Sequence, residues 1–85
     1  MMACGVTVAF GHDCVMDPWY ALGSGDMLDV AHMAVHVGHL TALDAIRSCY
    51  DAVTVNAAKI LHLDRYGIAP GCRADVVLLD RKSVV

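Results

Sequence analysis

The sequence predicts an α/β fold, because apolar strand-like segments near both ends of the chain flank three segments with helical signals. In residues 5–14, the side chains of Val6, Val8 and Phe10 share one face, since successive strand residues point to opposite sides. The other face carries small residues and ends in the carboxylate of Asp13. This combination is typical of a parallel barrel strand whose inner face opens on an active site at the strand's C-terminal end.

The helical segments are predicted from caps and helix breakers. Ser24 or Asp26 can accept a free backbone N–H at the start of a helix over residues 27–40. Residues 41–44, Thr-Ala-Leu-Asp, resemble a capping box with Asp in place of Glu, and they open a second helix to about residue 51. Thr54 caps a third helix that reaches about residue 61.

The C-terminal part of the chain returns to extended structure in this interpretation. Pro70 and Gly71 fit the two central positions of a type II turn, where glycine accepts a positive φ. Residues 75–79 then form a strand, which is β-branched at Val76 and Val77.

Composition indicates a folded chain with more apolar surface than it can bury. The 85 residues are 58% hydrophobic and 18% charged, which is too apolar for disorder. A chain of this size buries only ~60–65% of its unfolded surface. We therefore expect exposed apolar patches and self-association.

Charge and cysteine usage exclude several classes of protein. The net charge is −3 and there is no basic cluster, so nucleic-acid binding has no electrostatic support. Residues 27–40 form the most apolar helical segment, and they fall short of the ~20 residues of a membrane span. The N-terminus lacks the features of a signal peptide. The four cysteines have no CxxC spacing, which predicts reduced thiols and a cytoplasmic location.

Two sets of residues resemble a known family. Residues 11–14, Gly-His-Asp-Cys, and residues 17–20, Asp-Pro-Trp-Tyr, resemble the last barrel strand and the following loop of bacterial cytosine deaminases. Three further segments are similar to the C-terminal signature of the amidohydrolase superfamily, namely residues 54–61, 66–71 and 74–80.

The resemblance implies a C-terminal fragment of a (β/α)8 barrel, because a complete barrel needs about 250 residues. Residues 1–64 would form the last barrel strand, its loop and the helices that follow. Residues 65–85 would form part of a small β-sandwich. The full-length enzyme would remove ammonia hydrolytically from cytosine, a related pyrimidine or another cyclic amidine, with one divalent metal ion, Fe or Zn.

The resemblance implies a role for each residue of the first motif. Asp13 would bind the metal and carry a proton from the metal-bound hydroxide to the leaving amine. From residue type alone, an Asp after Gly-His more often forms a turn or a helix cap. His12 would orient the strand end without binding the metal directly. Cys14 and Trp19 would lie near the substrate, although Trp19 equally suits a staple between loop and core.

Cys14 is also a departure from the family pattern. The best-known cytosine deaminases have a second aspartate at this place, so the substrate stays open among cyclic amidines. No neighbouring base in the sequence would make the thiol of Cys14 a nucleophile.

The other metal ligands of the family are missing from this sequence. It contains no His-x-His pair, and one carboxylate cannot hold a catalytic ion for which three or more protein ligands are normal. We therefore expect that the 85-residue chain alone holds no metal and is inactive. The alternative is a small non-catalytic helical protein that oligomer or partner contacts stabilise.

A histidine series lies within the first predicted helix. His32, His36 and His39 follow at i, i+4 and i+7, a spacing that places them on one helical face. Such a face could form a surface zinc site. No acidic fourth ligand is evident, so the sequence favours a polar stripe or an oligomer contact.

Overall fold

Three α-helices organise the part of the chain that the computed structural model describes, residues 1–80. A short 3-10 helix at Met2–Cys4 precedes α1 at Met27–Val37, α2 at Leu43–Val53 and α3 at Val55–Ile60. Helix α2 packs against both α1 and α3. No helix within residues 1–80 is long and apolar enough to cross a membrane.

The core between the helices consists of small side chains. The buried apolar residues of the described chain are Ala31 in α1, Cys49 and Ala52 in α2, and Ala58 in α3. Small residues let helix backbones approach closely, but they remove little apolar area from water. Most of the large apolar side chains therefore remain partly or fully exposed.

Helix α1 begins at the predicted cap. The side chain of Asp26 accepts a hydrogen bond from the backbone N–H of Leu28 at 2.9 Å. The hydroxyl of Ser24 in turn accepts the N–H of Asp26 at 3.1 Å. The helix ends at Val37, three residues before the predicted end, and His39 has a φ of 52°.

The capping box predicted at residues 41–44 is wrong. Helix α2 begins at Leu43 with Ala42 as its N-cap, and no side chain makes a cap hydrogen bond there. Thr41 lies one residue too early to cap this helix.

Thr54 joins α2 to α3 and serves as the N-cap position of α3, as predicted, but its side chain has another partner. Its hydroxyl donates to the carbonyl of Tyr50 at 2.8 Å, instead of accepting an N–H of α3. The type II turn is confirmed, since the N–H of Cys72 donates to the carbonyl of Ala69 at 3.1 Å and Gly71 has a φ of 88°.

The predicted α/β fold is wrong for the described chain. Residues 1–80 contain no β-strand, so neither a barrel strand at residues 5–14 nor a β-sandwich strand at residues 75–79 is present there. A strand needs a ladder of hydrogen bonds to a neighbouring strand. The first segment instead contacts helices. The N–H of Phe10 donates to the carbonyl of Ala52 at 3.0 Å, and Asn56 Nδ2 donates to the carbonyl of Val8 at 3.0 Å.

The fold of the described residues is therefore all-α with extended connections. The division into residues 1–64 and 65–85 stays a prediction, and the last five residues of the second range lie outside the described part of the chain.

Candidate functional site

An open depression of about 590 Å³ lies between the 11–14 segment and α1. His12, Asp13 and Cys14 line one side of it, and Asp29 and His32 of α1 line the other. The structure thus brings three of the predicted site residues to one surface and adds two polar residues from α1 that the sequence did not single out for this site.

Asp13 presents an exposed carboxylate to this depression. No side chain or backbone N–H within residues 1–80 donates a hydrogen bond to it. The carboxylate is therefore accessible to water and to a small molecule.

Asp17 shapes the loop that follows. Its Oδ1 accepts hydrogen bonds from the backbone N–H groups of Trp19 at 2.9 Å and Tyr20 at 3.1 Å. The N–H of Tyr20 is the main reason that the pKa of Asp17 is lowered, with smaller contributions from the N–H of Trp19 and the thiol of Cys14. Tyr20 reaches the depression, whereas Trp19 lies outside its lining and is 89% exposed.

Cys14 carries a thiol that resists ionisation. Partial burial raises its pKa, and so do the negative charge of Asp13 and a hydrogen bond to Asp17. Because the thiolate is the reactive form, Cys14 is a weak nucleophile at neutral pH. Its one S–H already donates to Asp17, so its sulfur can offer a ligand only a weak acceptor.

Gly23 allows its own loop to lie directly against the backbone of Cys14 and Val15. It is buried, and a Cβ atom on it would overlap the carbonyl oxygen of Cys14 and lie 3.0 Å from the Cα of Val15. A residue without a side chain is therefore required where the chain passes behind the Cys14 carbonyl.

Asp29 was missed by the sequence analysis. It lies in the first turn of α1, and its Oδ2 accepts a hydrogen bond from the hydroxyl of Ser24 at 3.0 Å. An acidic residue in a helix's first turn ordinarily indicates a favourable dipole interaction only. Its place on the depression depends on how α1 packs, which no local pattern encodes.

Comparison with known proteins identifies the class of protein. The sequence model of the amidohydrolase family matches residues 1–84, nearly the whole chain. The chain therefore belongs to the amidohydrolase family, hydrolases that act on small molecules and generally use a metal ion. No curated protein and no solved structure matches the chain. The resemblance is confirmed at the level of the family, and the cytosine deaminase branch stays a prediction.

The donor set of the described residues does not fit the metal that this family uses. Within residues 1–80, no three His, Cys, Asp or Glu side chains come together to hold an ion. A catalytic divalent ion normally has three or more protein ligands. Asp13 contributes one carboxylate, so the described residues alone do not make this metal centre.

Proposed function

We propose that this chain supplies the proton-transferring carboxylate of a hydrolase that removes ammonia from cytosine or a related cyclic amidine. Membership of the amidohydrolase family supports the hydrolytic class. The observation that carries the finer proposal is the exposed carboxylate of Asp13 on a depression large enough for a pyrimidine ring, next to the half-buried thiol of Cys14.

Asp13 has one task in this reaction, the movement of a proton. The oxygen of a water molecule bonds to the amidine carbon, and a carboxylate oxygen of Asp13 accepts a proton from that water. Asp13 then donates this proton to the ring's exocyclic nitrogen as the carbon–nitrogen bond breaks. Ammonia leaves, and the hydroxyl that remains on the ring carbon becomes a carbonyl as its proton moves to the adjacent ring nitrogen.

The neighbouring residues would position the ring in this proposal. The thiol of Cys14 stays protonated and donates its one S–H to Asp17, so it would contact the ring through its sulfur and form no covalent bond with it. His12 supports the segment that carries Asp13. Trp19 stays a predicted substrate contact.

The test replaces Asp13 by its amide in an active setting. In an active cytosine deaminase, the matching C-terminal part is replaced by residues 1–80 of this chain. The ammonia that this chimera releases is then measured. We expect Asp13→Asn to preserve folding and KM but to lower kcat by about 10²–10⁴-fold, because the amide cannot accept the proton. Asp51→Asn, at an exposed carboxylate of α2 outside the depression, should leave kcat unchanged.

Two further outcomes bear on the proposal. The purified 85-residue chain should release no ammonia from cytosine with Fe²⁺ or Zn²⁺, because its described residues lack the ligands. A folded chimera that is inactive would contradict the proposed function, and an active chimera in which Asp13→Asn keeps normal turnover would show that Asp13 has no catalytic role.

A second candidate function has its own supporting observation. Many large apolar side chains are exposed, among them Ile68 and Leu78 at 96% each. This surface favours a non-catalytic helical protein that is stabilised by contacts with other chains. Such a protein would not support turnover in the chimera, so the same measurement separates the two candidates.

A further inference from the structure

The imidazole rings of His32 and His36 form a close pair on the exposed side of α1. Their Nε2 atoms lie 2.9 Å apart, and the ring centroids are separated by 4.4 Å with an angle of 77° between the planes. The two residues are four apart on one helix, so their side chains project from the same face. Both residues are exposed, and the pair belongs neither to the core nor to the packing between helices.

In the neutral pair, a proton on one Nε2 can be donated to the lone pair of the other, and the tautomers decide which ring is the donor. Replacement of that proton by a metal ion would leave both lone pairs directed at a common centre. Neutral imidazole is the form that binds metals, and divalent Zn, Cu and Ni are the ions it suits.

The separation of the nitrogens indicates which geometry fits. Two nitrogens 2.9 Å apart that each lie about 2.05 Å from one ion make an angle of about 90° at that ion. A tetrahedral centre with the same bond lengths would need about 3.3 Å between them. A right angle is the cis arrangement of octahedral and tetragonal centres, which Ni²⁺ and Cu²⁺ prefer.

The charges around the pair favour a cation. His36 lies in the last turn of α1, where the helix dipole stabilises positive charge. The carboxylate of Asp29 lies one turn before His32 and lines the same depression. His39 does not join the pair, since α1 ends at Val37 and His39 has left the helical conformation.

We propose that His32 and His36 chelate one divalent transition-metal ion of octahedral or tetragonal preference, Ni²⁺ or Cu²⁺, with solvent in the remaining coordination positions. The ligands of this site differ from those expected for the family's catalytic metal, because neither comes from the 11–14 segment, although His32 lines the same depression as Asp13. It rests on α1 alone and does not depend on the proposed deaminase reaction.

The test uses Ni²⁺, since it does not oxidise the chain's thiols as Cu²⁺ does. Isothermal titration calorimetry of the full 85-residue chain in mildly alkaline buffer should show one Ni²⁺ bound per chain. The melting temperature should rise with the Ni²⁺ concentration, because the ion binds the folded helix. Co²⁺ and Mn²⁺ should bind more weakly, in that order. Mg²⁺ should not compete, since it takes oxygen ligands.

Matched variants locate the site. We expect His32→Ala and His36→Ala each to lower the Ni²⁺ affinity by about 100-fold, because each removes one of two tethered ligands. His39→Ala should leave the affinity unchanged. The double variant His36→Val with Val37→His keeps the number of histidines but places the second ring off the shared face, so it should also lose binding.

Three results would overturn the proposal. One is Ni²⁺ affinity that survives His36→Ala. Another is an electronic spectrum with thiolate-to-nickel bands, which would assign the ion to cysteine. The third is a stoichiometry of one Ni²⁺ per two chains with dimers in sedimentation, which would mean that the ion bridges chains instead of being chelated by one helix.

Discussion

The thiol of Cys14 lies beside two carboxylates, and both oppose its ionisation. Partial burial is the largest cause of its raised pKa, followed by the charge of Asp13 and the hydrogen bond to Asp17. In the folded chain the thiol therefore holds its proton to a higher pH than in the unfolded chain. Its contribution to stability is present below the unfolded pKa and is lost as the pH rises through the folded pKa.

This environment predicts slow alkylation of Cys14. With iodoacetamide at mildly alkaline pH, we expect Cys14 to react more slowly than exposed Cys4, because Cys14 is only partly exposed and its raised pKa keeps its thiol protonated. Asp13→Asn and Asp17→Asn should each accelerate the reaction and shift its pH profile to lower pH. The measurement is site-resolved mass spectrometry over time.

The variant Asp17→Asn is a useful control in that experiment. Its oxygen can still accept the N–H groups of Trp19 and Tyr20, so the loop should keep its turn while the charge is lost. Equal alkylation rates in the parent chain and both variants would mean that burial alone sets the reactivity of Cys14.

The start of α1 and the start of α2 show what local sequence can and cannot predict about an element. Asp26 was one of two predicted caps, with Ser24, and it is the cap, because the capping bond spans only two residues. The capping box at residues 41–44 has a suitable sequence, yet α2 begins at Leu43. Where a helix begins within one or two residues depends on its packing partners as well as on its caps.

Because Asp26 caps α1 and Thr41 does not cap α2, substitution of the two residues should affect stability differently. We expect Asp26→Ala to lower the free energy of unfolding by about 1 kcal/mol, because the N–H of Leu28 loses its acceptor. Thr41→Ala should leave stability nearly unchanged, since Thr41 caps nothing. Thermal or urea unfolding followed by circular dichroism measures both, and an equal loss in the two variants would contradict the assignment of the caps.

The strand predicted at residues 5–14 is absent because a strand, like the start of a helix, depends on its packing partners. Its alternation of large and small residues is present in the sequence, but alternation says only how a strand would orient its side chains. Pairing depends on a partner strand, and within residues 1–80 the hydrogen-bonding partners are Ala52 and Asn56 of the helices. The adjacency of His12, Asp13 and Cys14 could be predicted because it is covalent. The approach of Asp29 and His32 could not, because it depends on how α1 packs.

At the scale of the whole molecule, the core is small for the amount of apolar surface. Four small residues are its buried apolar members within the described chain, while Val6, Trp19 and Leu22 are more than half exposed. Burial of one large apolar side chain contributes ~1.5–3 kcal/mol. Exposure of many such side chains leaves little net stability to a single copy.

We therefore predict that the isolated chain self-associates or loses its tertiary packing while it keeps helix. Sedimentation should show species larger than the 9.1 kDa monomer. Leu78→Lys, at a side chain that is 96% exposed, should shift the distribution toward monomer without lowering helix content. Sharp, dispersed NMR amide signals from a monomer at high concentration would contradict this prediction.

The complete enclosure of Cys49 has a practical consequence. Its side chain has no solvent-exposed surface, whereas Cys4 at the start of the same chain is exposed. A thiol reagent can reach Cys49 only after α2 separates from the helices packed on it. The labelling rate of Cys49 divided by that of Cys4 thus reports the fraction of time that the core is open. Local unfolding can therefore be measured with the chain's own two cysteines, without any added probe.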